Sequence, residues 1–473
     1  MDLLLTRPTV RPHTRRVTGA ASTQQLDRAR LTTLMAAEGQ AFLDLHPKSA
    51  TLFHRAKVSL LAGVPMNWMV KWAGAYPLFV DQADGARFTD VDGHEYVDFC
   101  LGDTGAMAGH GPAATIRAVE SQLRRGVTHM LPTEDATAAG NELKRRFGLP
   151  LWQFTLSATD ANRFSIRLAR QITGRRFIAV HDHCYHGSVD ETFATLDGSG
   201  RVVASRGNIG APVDPAKTTR VVEFNDLDGL ERALADRQVA ALLIEPALTN
   251  VGIVLPEPGY LEGVREITKR TGTILIIDET HTICAGPGGA TGAWELEPDM
   301  LVIGKTIGGG IPVGAYGMTD DIAARIERVM TREDSDVGGI GGTLAGYALS
   351  TAAVRATLGE VLTAEAFDLM IPLAERWANG AAEVLASHGV PWHVTRLGCR
   401  AEYHFMPSPP RTGAQQYAHA DSELERFLHL WTMNRGVLMT PFHNMALMSP
   451  STTAADVDRH TTVFDEALRA LFD

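Results

Sequence analysis

The residue with the clearest chemical potential is Lys305, which follows a short apolar run and precedes three consecutive glycines in IGKTIGGG. A charged side chain is unusual at the end of a buried strand, whereas a partly buried lysine is activated to form Schiff bases with carbonyl compounds. The glycines would let the chain turn tightly beside a bulky bound group. The pattern therefore predicts covalent catalysis through the Lys305 amine.

Asp278 is the second residue with an evident chemical use, because it ends another apolar run in TILIIDET. A carboxylate at this point can keep the pyridine nitrogen of pyridoxal phosphate (PLP) protonated, and the protonated ring then accepts electrons from a bound substrate. A helix N-cap or an ion pair would explain the same residue without catalysis. Taken together with Lys305, however, Asp278 predicts a PLP enzyme.

The segment SATDAN, which begins at Ser157, follows an apolar run and opens a helical stretch. Free backbone N–H groups and the positive end of the helix dipole would attract a phosphate there. The hydroxyl groups of Ser157 and Thr159 would be further donors. Capping of the helix alone would also explain this segment, since serine and threonine are ordinary N-caps.

The segment CYHG, from Cys184 to Gly187, also follows a predicted strand. Tyr185 could lie flat on a ring-shaped cofactor while Gly187 lets the backbone approach closely. Taken alone, the segment is explained as well by a core tyrosine and a hydrogen-bonded His186.

Short apolar runs that alternate with helical stretches must position these residues. They predict a mostly parallel sheet flanked by helices, and functional groups gather at the carboxyl ends of such strands. The predicted strands are FIAV (177–180), VAALLIEP (239–246), TILIIDE (273–279) and MLVIGK (300–305), and a helix is predicted over 260–271.

The N-terminal part has a different pattern. Alternating apolar and polar residues around two Asp-Gly turns predict an antiparallel meander over 77–99. Before it, helical spacing from about Leu26 to Leu61 predicts a helix with one apolar face. The residues predicted on that face are Leu31, Leu34, Met35, Phe42 and Leu43.

The overall composition narrows the class of protein. The formal net charge of -11 disfavours nucleic acid as the main partner, since phosphate binding needs a basic face. The four cysteines lie far apart without zinc spacing, which predicts neither a metal site nor a disulfide scaffold. No apolar stretch has the length of a membrane span, and the arginine-rich N-terminal stretch is better explained as a flexible basic tail than as a transit peptide. We therefore expect a cytoplasmic protein.

The order of these motifs resembles that of the class III aminotransferases, in particular the branch of glutamate-1-semialdehyde aminomutases and β-amino-acid aminotransferases. The resemblance extends from about Pro65 to the C-terminus. It implies the α/β architecture called PLP fold type I, with a large domain built on a mostly parallel seven-stranded sheet and a smaller α+β domain from the N- and C-terminal parts. The implied division is 1–100, 101–363 and 364–473, and the implied assembly is a homodimer with shared active sites. The motifs that carry the resemblance are SATDAN, CYHG, Glu245-Pro246, Asp278-Glu279, GKTIGGG and GGT, which ends at Thr343.

The resemblance also implies a role for each site residue. Lys305 would bind PLP as a Schiff base, Asp278 would pair with the pyridine nitrogen, and Tyr185 would stack on the ring. Glu245 would lie near the ring hydroxyl group. Thr280 stands where the family usually has an apolar residue packed under the ring. His281 stands where it usually has Met or Gln. The other implied cofactor contacts are Ser157, Ala158, Thr159, His186 and, reaching in from the other protomer, Thr343 of the partner subunit.

The substrate pocket departs from the β-amino-acid branch of the family. Trp68 and Phe442 stand where those relatives carry arginines that bind the substrate carboxylate. An apolar lining would reject a carboxylate without a partner, because an unpaired buried charge is costly, and would accept a bulky hydrophobic amine. An ion pair with Glu402 would equally explain Arg400. The candidate carboxylate binders are Arg400, Lys71 and His443.

The function that these residues imply is transfer of an amino group from an amine or amino acid to a keto acid or aldehyde. An aminomutase, which shifts the amine within one molecule, is the first alternative, and a β-amino-acid aminotransferase is the second. A PLP-fold protein without catalytic activity is disfavoured by the presence of both Lys305 and Asp278.

Overall fold

The structure is a computed structural model that describes residues 26–330 and 337–473. The predicted basic tail lies outside the described residues. The strands, in chain order, are β1 (Val80–Asp84), β2 (Arg87–Asp90), β3 (Glu95–Asp98), β4 (Leu151–Thr155), β5 (Phe177–His181), β6 (Ala194–Leu196), β7 (Val202–Ala204), β8 (Thr219–Val222), β9 (Val239–Ile244), β10 (Ile274–Asp278), β11 (Met300–Ile303), β12 (Gly314–Met318), β13 (His393–Leu397), β14 (Arg400–His404), β15 (Val437–Leu438) and β16 (Met445–Leu447).

Helices separate most of these strands. In chain order they are α1 (Arg28–Leu45), α2 (Pro47–Ala56), α3 (Ala113–Arg125), α4 (Glu134–Phe147), α5 (Ala158–Thr173), α6 (Leu227–Leu234), α7 (Tyr260–Thr271), α8 (Gly289–Ala293), α9 (Asp320–Met330), α10 (Ala348–Ala356), α11 (Ala364–Ser387), α12 (Gly413–Ala418), α13 (Ser422–Met433) and α14 (Ala454–Phe472). Among the described helices, none is long and apolar enough to cross a membrane.

A seven-stranded sheet in the order β4-β12-β11-β10-β9-β5-β8 forms the centre of the molecule. Its strands pair in parallel except β12, which runs antiparallel to both β11 and β4. Strands β9 and β10 are buried at every position because helices cover both faces of the sheet. One face packs against α5 and α9, and the other packs against α6 and α7. The predicted mostly parallel α/β sheet is confirmed.

The sequence located the strands around the site closely. The helix predicted over 260–271 coincides with α7, and the four predicted strands correspond to β5, β9, β10 and β11. The extent of the last strand was wrong, because β11 ends at Ile303. Lys305 instead begins a short 3-10 helix with a backbone φ of 50°. Its side chain is therefore aimed by a turn rather than by the strand pleat.

The N-terminal meander is confirmed as β1, β2 and β3, and β15 from the C-terminal part adds a parallel fourth strand. The single helix predicted from Leu26 to Leu61 was wrong. The first helix ends at Leu45, with His46 as its C-cap. A second helix begins at Pro47 and ends at Ala56. Proline has no N–H to continue the first helix, but it is well suited to the first turn of a new one. Leu43, which was predicted on the buried face, is 43% exposed.

A three-stranded sheet in the order β13-β14-β16 carries the predicted substrate residue Arg400 at the start of β14. Every residue of β14 is buried, including Arg400 and Glu402. Tyr403 in the same strand stacks on Phe464 of α14, with ring centroids 4.7 Å apart. The charged groups of β14 therefore lie in a packed interior, where each needs a polar partner.

Candidate active site

The Lys305 amine lies at the centre of a compact polar cluster. Its Nζ atom is 2.9 Å from the backbone oxygen of Asp103, 2.8 Å from the Oδ2 atom of the same residue and 2.8 Å from Nε2 of His281. Lys305 was predicted as the reactive lysine and His281 as a cofactor contact, whereas their mutual contact was not predicted. The sequence reasoning missed Asp103.

Asp103 belongs to a strained loop that follows β3. Leu101, Asp103 and Thr104 all have positive φ values, of 44°, 51° and 80°. Such conformations are costly for residues with a Cβ atom, and they persist where the surrounding structure enforces them, often at functional sites. Although burial opposes the charged form, the adjoining Lys305 lowers the pKa of Asp103 well below its usual range. The loop therefore presents a fixed negative charge to the lysine amine.

Asp278, the last residue of β10, is held by a ring of donors. Its Oδ2 atom accepts hydrogen bonds from Nδ1 of His186 at 2.9 Å and Nδ2 of Asn162 at 2.8 Å, and Oδ1 accepts from the Thr280 N–H at 3.0 Å. Although burial opposes the charge, these donors, His186 first, lower the pKa of Asp278 to about 2. The His186 contact is the ion pair that a structural role would require. It also keeps the carboxylate charged, as a partner for a protonated ring nitrogen must be.

The start of α5 fits a phosphate group. Ser157 caps the helix through its side chain, as the capping interpretation predicted, while the first-turn N–H groups of Ala158 and Thr159 have no acceptor four residues earlier. Small residues surround this turn: a Cβ atom added at Gly187 would collide with the Thr159 hydroxyl, and one at Gly314 would collide with the Ser157 carbonyl. The donors and the glycine-lined space fit an anion at the helix N-terminus.

Two buried polar side chains near Asp278 have atoms without a protein partner among the described residues. The Oε2 atom of Glu245 accepts a hydrogen bond from the Thr249 hydroxyl, but Oε1 has no donor, and burial raises the Glu245 pKa to about 7. The Oγ1 atom of Thr280 is also buried without a partner. Such atoms fit a cofactor that has polar groups of its own. The individual contacts implied for Glu245 and Thr280 stay predictions.

Aromatic side chains line one side of a small pocket next to the lysine. The ring of Trp68 lies 5.5 Å from that of Tyr185 and 5.5 Å from that of Phe442, between centroids. The exposed Lys71 has its Nζ atom 6.0 Å from the centre of the Phe442 ring. The pocket thus brings together five of the residues predicted for substrate and cofactor, namely Trp68, Tyr185, His281, Phe442 and His443. The pocket is lined by Trp68, Asp103, Tyr185, Thr249, Asn250, His281, Phe442 and His443.

Arg400 lies behind this lining. It is 1% exposed, and its Nη1 atom is 3.2 Å from Nδ1 of His281. The Nε and Nη2 atoms of Arg400 have no partner among the described residues. The alternative of an Arg400–Glu402 ion pair is wrong, since Glu402 instead lies 3.6 Å from His443 and accepts the Ile253 N–H at 3.1 Å. Arg400 therefore contacts His281 and is not part of the pocket lining.

These features define a PLP-dependent enzyme of fold type I. A sequence model of the class III aminotransferases matches residues 69–468. The chain belongs to the class III aminotransferases, and its cofactor is PLP. The predicted family, enzyme class and cofactor are confirmed.

Similar proteins include glutamate-1-semialdehyde aminomutases and an omega-transaminase. A glutamate-1-semialdehyde 2,1-aminomutase from Chloroflexus aggregans is 33% identical over 408 residues, which cover 84% of this chain and 92% of that protein. A second similar protein is a glutamate-1-semialdehyde aminomutase from Pseudomonas aeruginosa PAO1, solved as a lysine-to-alanine variant in complex with pyridoxamine phosphate (PMP). It shares 50% identity and a TM-score of 0.92, and the match covers 94% of this chain and 99% of that one. An omega-transaminase from Sphaerobacter thermophilus shares 32% identity and a TM-score of 0.80, covering 89% of this chain and 97% of that one.

Proposed function

We propose that this chain is a transaminase whose amine substrate carries a bulky apolar group next to the reacting carbon. The contact of Trp68 with both Tyr185 and Phe442 supports this proposal most directly, because it forms an aromatic wall beside the Lys305 amine. Such a wall favours an aryl or alkyl group over a charged one. The second substrate would be a keto acid or aldehyde that accepts the amino group.

The residues have distinct tasks in this reaction. Bound PLP supplies an electron-accepting pyridinium ring. Asp278 would keep the ring nitrogen of the cofactor protonated, and the start of α5 would hold its phosphate. The Nζ atom of Lys305 would take the proton of the amine-bearing carbon of the substrate: the C–H bond breaks, an N–H bond forms, and the electron-accepting cofactor would take up the remaining electron pair. The resulting Lys305 ammonium group would later act as the acid that gives the proton back.

The second candidate is an aminomutase that shifts the amine within one molecule. The names of the relatives from Chloroflexus aggregans and Pseudomonas aeruginosa favour it. The pocket also has a polar side, with Thr249, Asn250 and His443, that could hold a second functional group of such a substrate. The two candidates differ in one requirement, because only a transaminase needs a separate acceptor.

The test is a half-reaction in which an amine is added to the PLP-loaded enzyme while the absorbance of the bound cofactor is monitored. α-Methylbenzylamine and β-phenylalanine form a matched pair that differs in the presence of a carboxylate. Bleaching by α-methylbenzylamine would support the proposal, whereas bleaching by β-phenylalanine alone would contradict the apolar pocket. Conversion of glutamate-1-semialdehyde to its amino-shifted isomer, without any added acceptor, would establish the second candidate instead.

Variants of the wall sharpen this test. Trp68→Ala and Phe442→Ala should each lower kcat/KM for α-methylbenzylamine by about tenfold or more, since each removes a large apolar contact with the substrate. The Leu369→Ala variant is the control, because Leu369 is 63% exposed and lies on α11.

We also propose that the active enzyme is a homodimer in which Thr343 of the partner subunit completes the phosphate site. Thr343 is exposed in the single chain and is not among the residues that line its pocket. Thr343→Ala should weaken PLP binding without changing the mass of the assembly in solution. A monomeric, fully active enzyme would contradict this arrangement.

A further inference from the structure

We propose that His281 is the proton-coupled partner of Lys305, with an imidazole that changes tautomer as the lysine amine gains and loses a proton. Its Nε2 atom lies 2.8 Å from Nζ of Lys305. Its Nδ1 atom faces two different groups, the Thr104 hydroxyl at 2.9 Å and Nη1 of Arg400 at 3.2 Å. This inference deepens the proposed function, in which Lys305 must be first a base and then an acid.

The neutral amine fits one tautomer of the ring. Arg400 is always a donor, so the Nδ1 atom of His281 accepts a hydrogen bond from it and the ring proton sits on Nε2. The Nε2–H group then donates to the lone pair of the Lys305 amine. The two N–H bonds of that amine donate to the backbone oxygen and the carboxylate of Asp103. In this arrangement both N–H groups of the neutral amine have acceptors and its lone pair accepts a hydrogen bond.

The ammonium form fits the other tautomer. Lys305 now has three N–H donors and no lone pair, so Nε2 of His281 must accept the third hydrogen bond. The ring proton is then on Nδ1, where the Thr104 hydroxyl is the acceptor at hydrogen-bond distance among the described residues, because the Oδ1 atom of Asp103 lies 3.9 Å away and Arg400 cannot accept. Thr104 thus supports the ammonium form, while Arg400 supports the neutral amine. The two residues bias the same ring in opposite directions.

The imidazole itself remains uncharged in both states. The charged groups that face it are the cations Lys305 and Arg400 and the carboxylates Asp103 and Asp278. Burial and the positive charge of Lys305 lower the pKa of His281 well below its ordinary value. A ring that stays neutral changes tautomer rather than charge, so no additional buried charge is created while Lys305 cycles between base and acid.

The test measures the Lys305 amine without any substrate. In enzyme reconstituted with PMP this amine is free, and its acetylation by acetic anhydride at neutral pH, quantified by peptide mass spectrometry, reports the fraction present as neutral amine. Thr104→Val removes the acceptor that supports the ammonium form, so the rate of Lys305 acetylation should rise roughly twofold to tenfold, as expected for one hydrogen bond. Thr104→Ser keeps the hydroxyl group and should leave the rate unchanged.

A double-mutant comparison separates this role from a general effect on the pocket. In a His281→Met background, Thr104→Val should leave the acetylation rate unchanged. No effect of Thr104→Val in the presence of His281, or an equal effect in its absence, would overturn the proposal. If Thr104→Val does not fold, Arg400→Met provides the opposite test, with slower acetylation that must depend on His281. Since no amine substrate is used, these outcomes are independent of whether the proposed substrate class is correct.

Discussion

The Nζ atom of Lys305 lies 2.8 Å from the Oδ2 atom of Asp103, although the two residues are 202 positions apart in the chain. Lys305 leaves the central sheet after β11, whereas Asp103 comes from the loop after the small meander. The lysine amine therefore lies where the two sheets' connecting segments meet. The strained conformations of Leu101, Asp103 and Thr104 are the local cost of this placement.

This contact predicts that Asp103→Asn lowers kcat while PLP stays bound. The substitution keeps the shape of the side chain but removes the negative charge that stabilises the Lys305 ammonium group during proton transfer. A hydrogen bond between charged groups contributes about 1.5–3 kcal/mol, which corresponds to a loss of about 10- to 100-fold. Single-turnover rates measure the effect. Asp81→Asn on β1, where the aspartate is exposed, is the matched control, and equal rates for the two variants would contradict the assigned role.

The glycine-lined phosphate site predicts weaker cofactor binding in Gly187→Ala. The added Cβ atom would collide with the Thr159 hydroxyl, and Gly187 has a φ of 79° that alanine adopts only with strain. The dissociation constant for PLP should rise about tenfold or more, as strain of 1–3 kcal/mol implies. Equilibrium dialysis of the two proteins gives this constant. Gly198→Ala is the control, because no atom lies within 4 Å of its added Cβ; similar affinities in both variants would refute the site.

The hydrogen-bond donors around Asp278 predict a pH-dependent contribution to stability. Its pKa in the folded protein is about 2, below the ordinary value of 3.8. A carboxyl group with a depressed pKa stabilises the fold above its unfolded pKa, and this contribution is lost as the pH falls through the folded value. Between about pH 4 and pH 2, the wild-type protein should therefore lose free energy of unfolding that Asp278→Asn does not lose. Urea unfolding at several pH values in this range gives the free energy of unfolding of each protein. If that free energy falls equally with pH in the wild-type protein and in Asp278→Asn, the prediction is contradicted.

Several candidate site residues could be predicted from the sequence because their signals are local. Apolar runs long enough to be buried strands marked the edges at which Asp278 and Lys305 lie, and the SATDAN turn showed its own helix start. The break between α1 and α2 was also encoded locally, by Pro47, but helical periodicity across it concealed the end of α1. Motif order, rather than any single motif, carried the family assignment.

The missed features depend on contacts between distant segments. The sequence LGDTG around Asp103 contains the small and polar residues of a turn, but only the packed structure forces three non-glycine residues to positive φ and aims the carboxylate at Lys305. Likewise, Arg400 and Glu402 are two residues apart on β14 and so lie on the same face of the strand, which made an ion pair between them a reasonable interpretation. In the fold they have separate partners, His281 and His443.

The central claim is that Lys305 carries the cofactor, and borohydride reduction of the PLP-loaded enzyme tests it most directly. Reduction fixes the cofactor to the lysine that binds it, and peptide mass spectrometry then locates the modified residue. We predict a single pyridoxyl group on Lys305, absent from a Lys305→Ala protein that is folded but has no turnover. A modification on another lysine, or a Lys305→Ala enzyme with near-normal turnover, would contradict the mechanism.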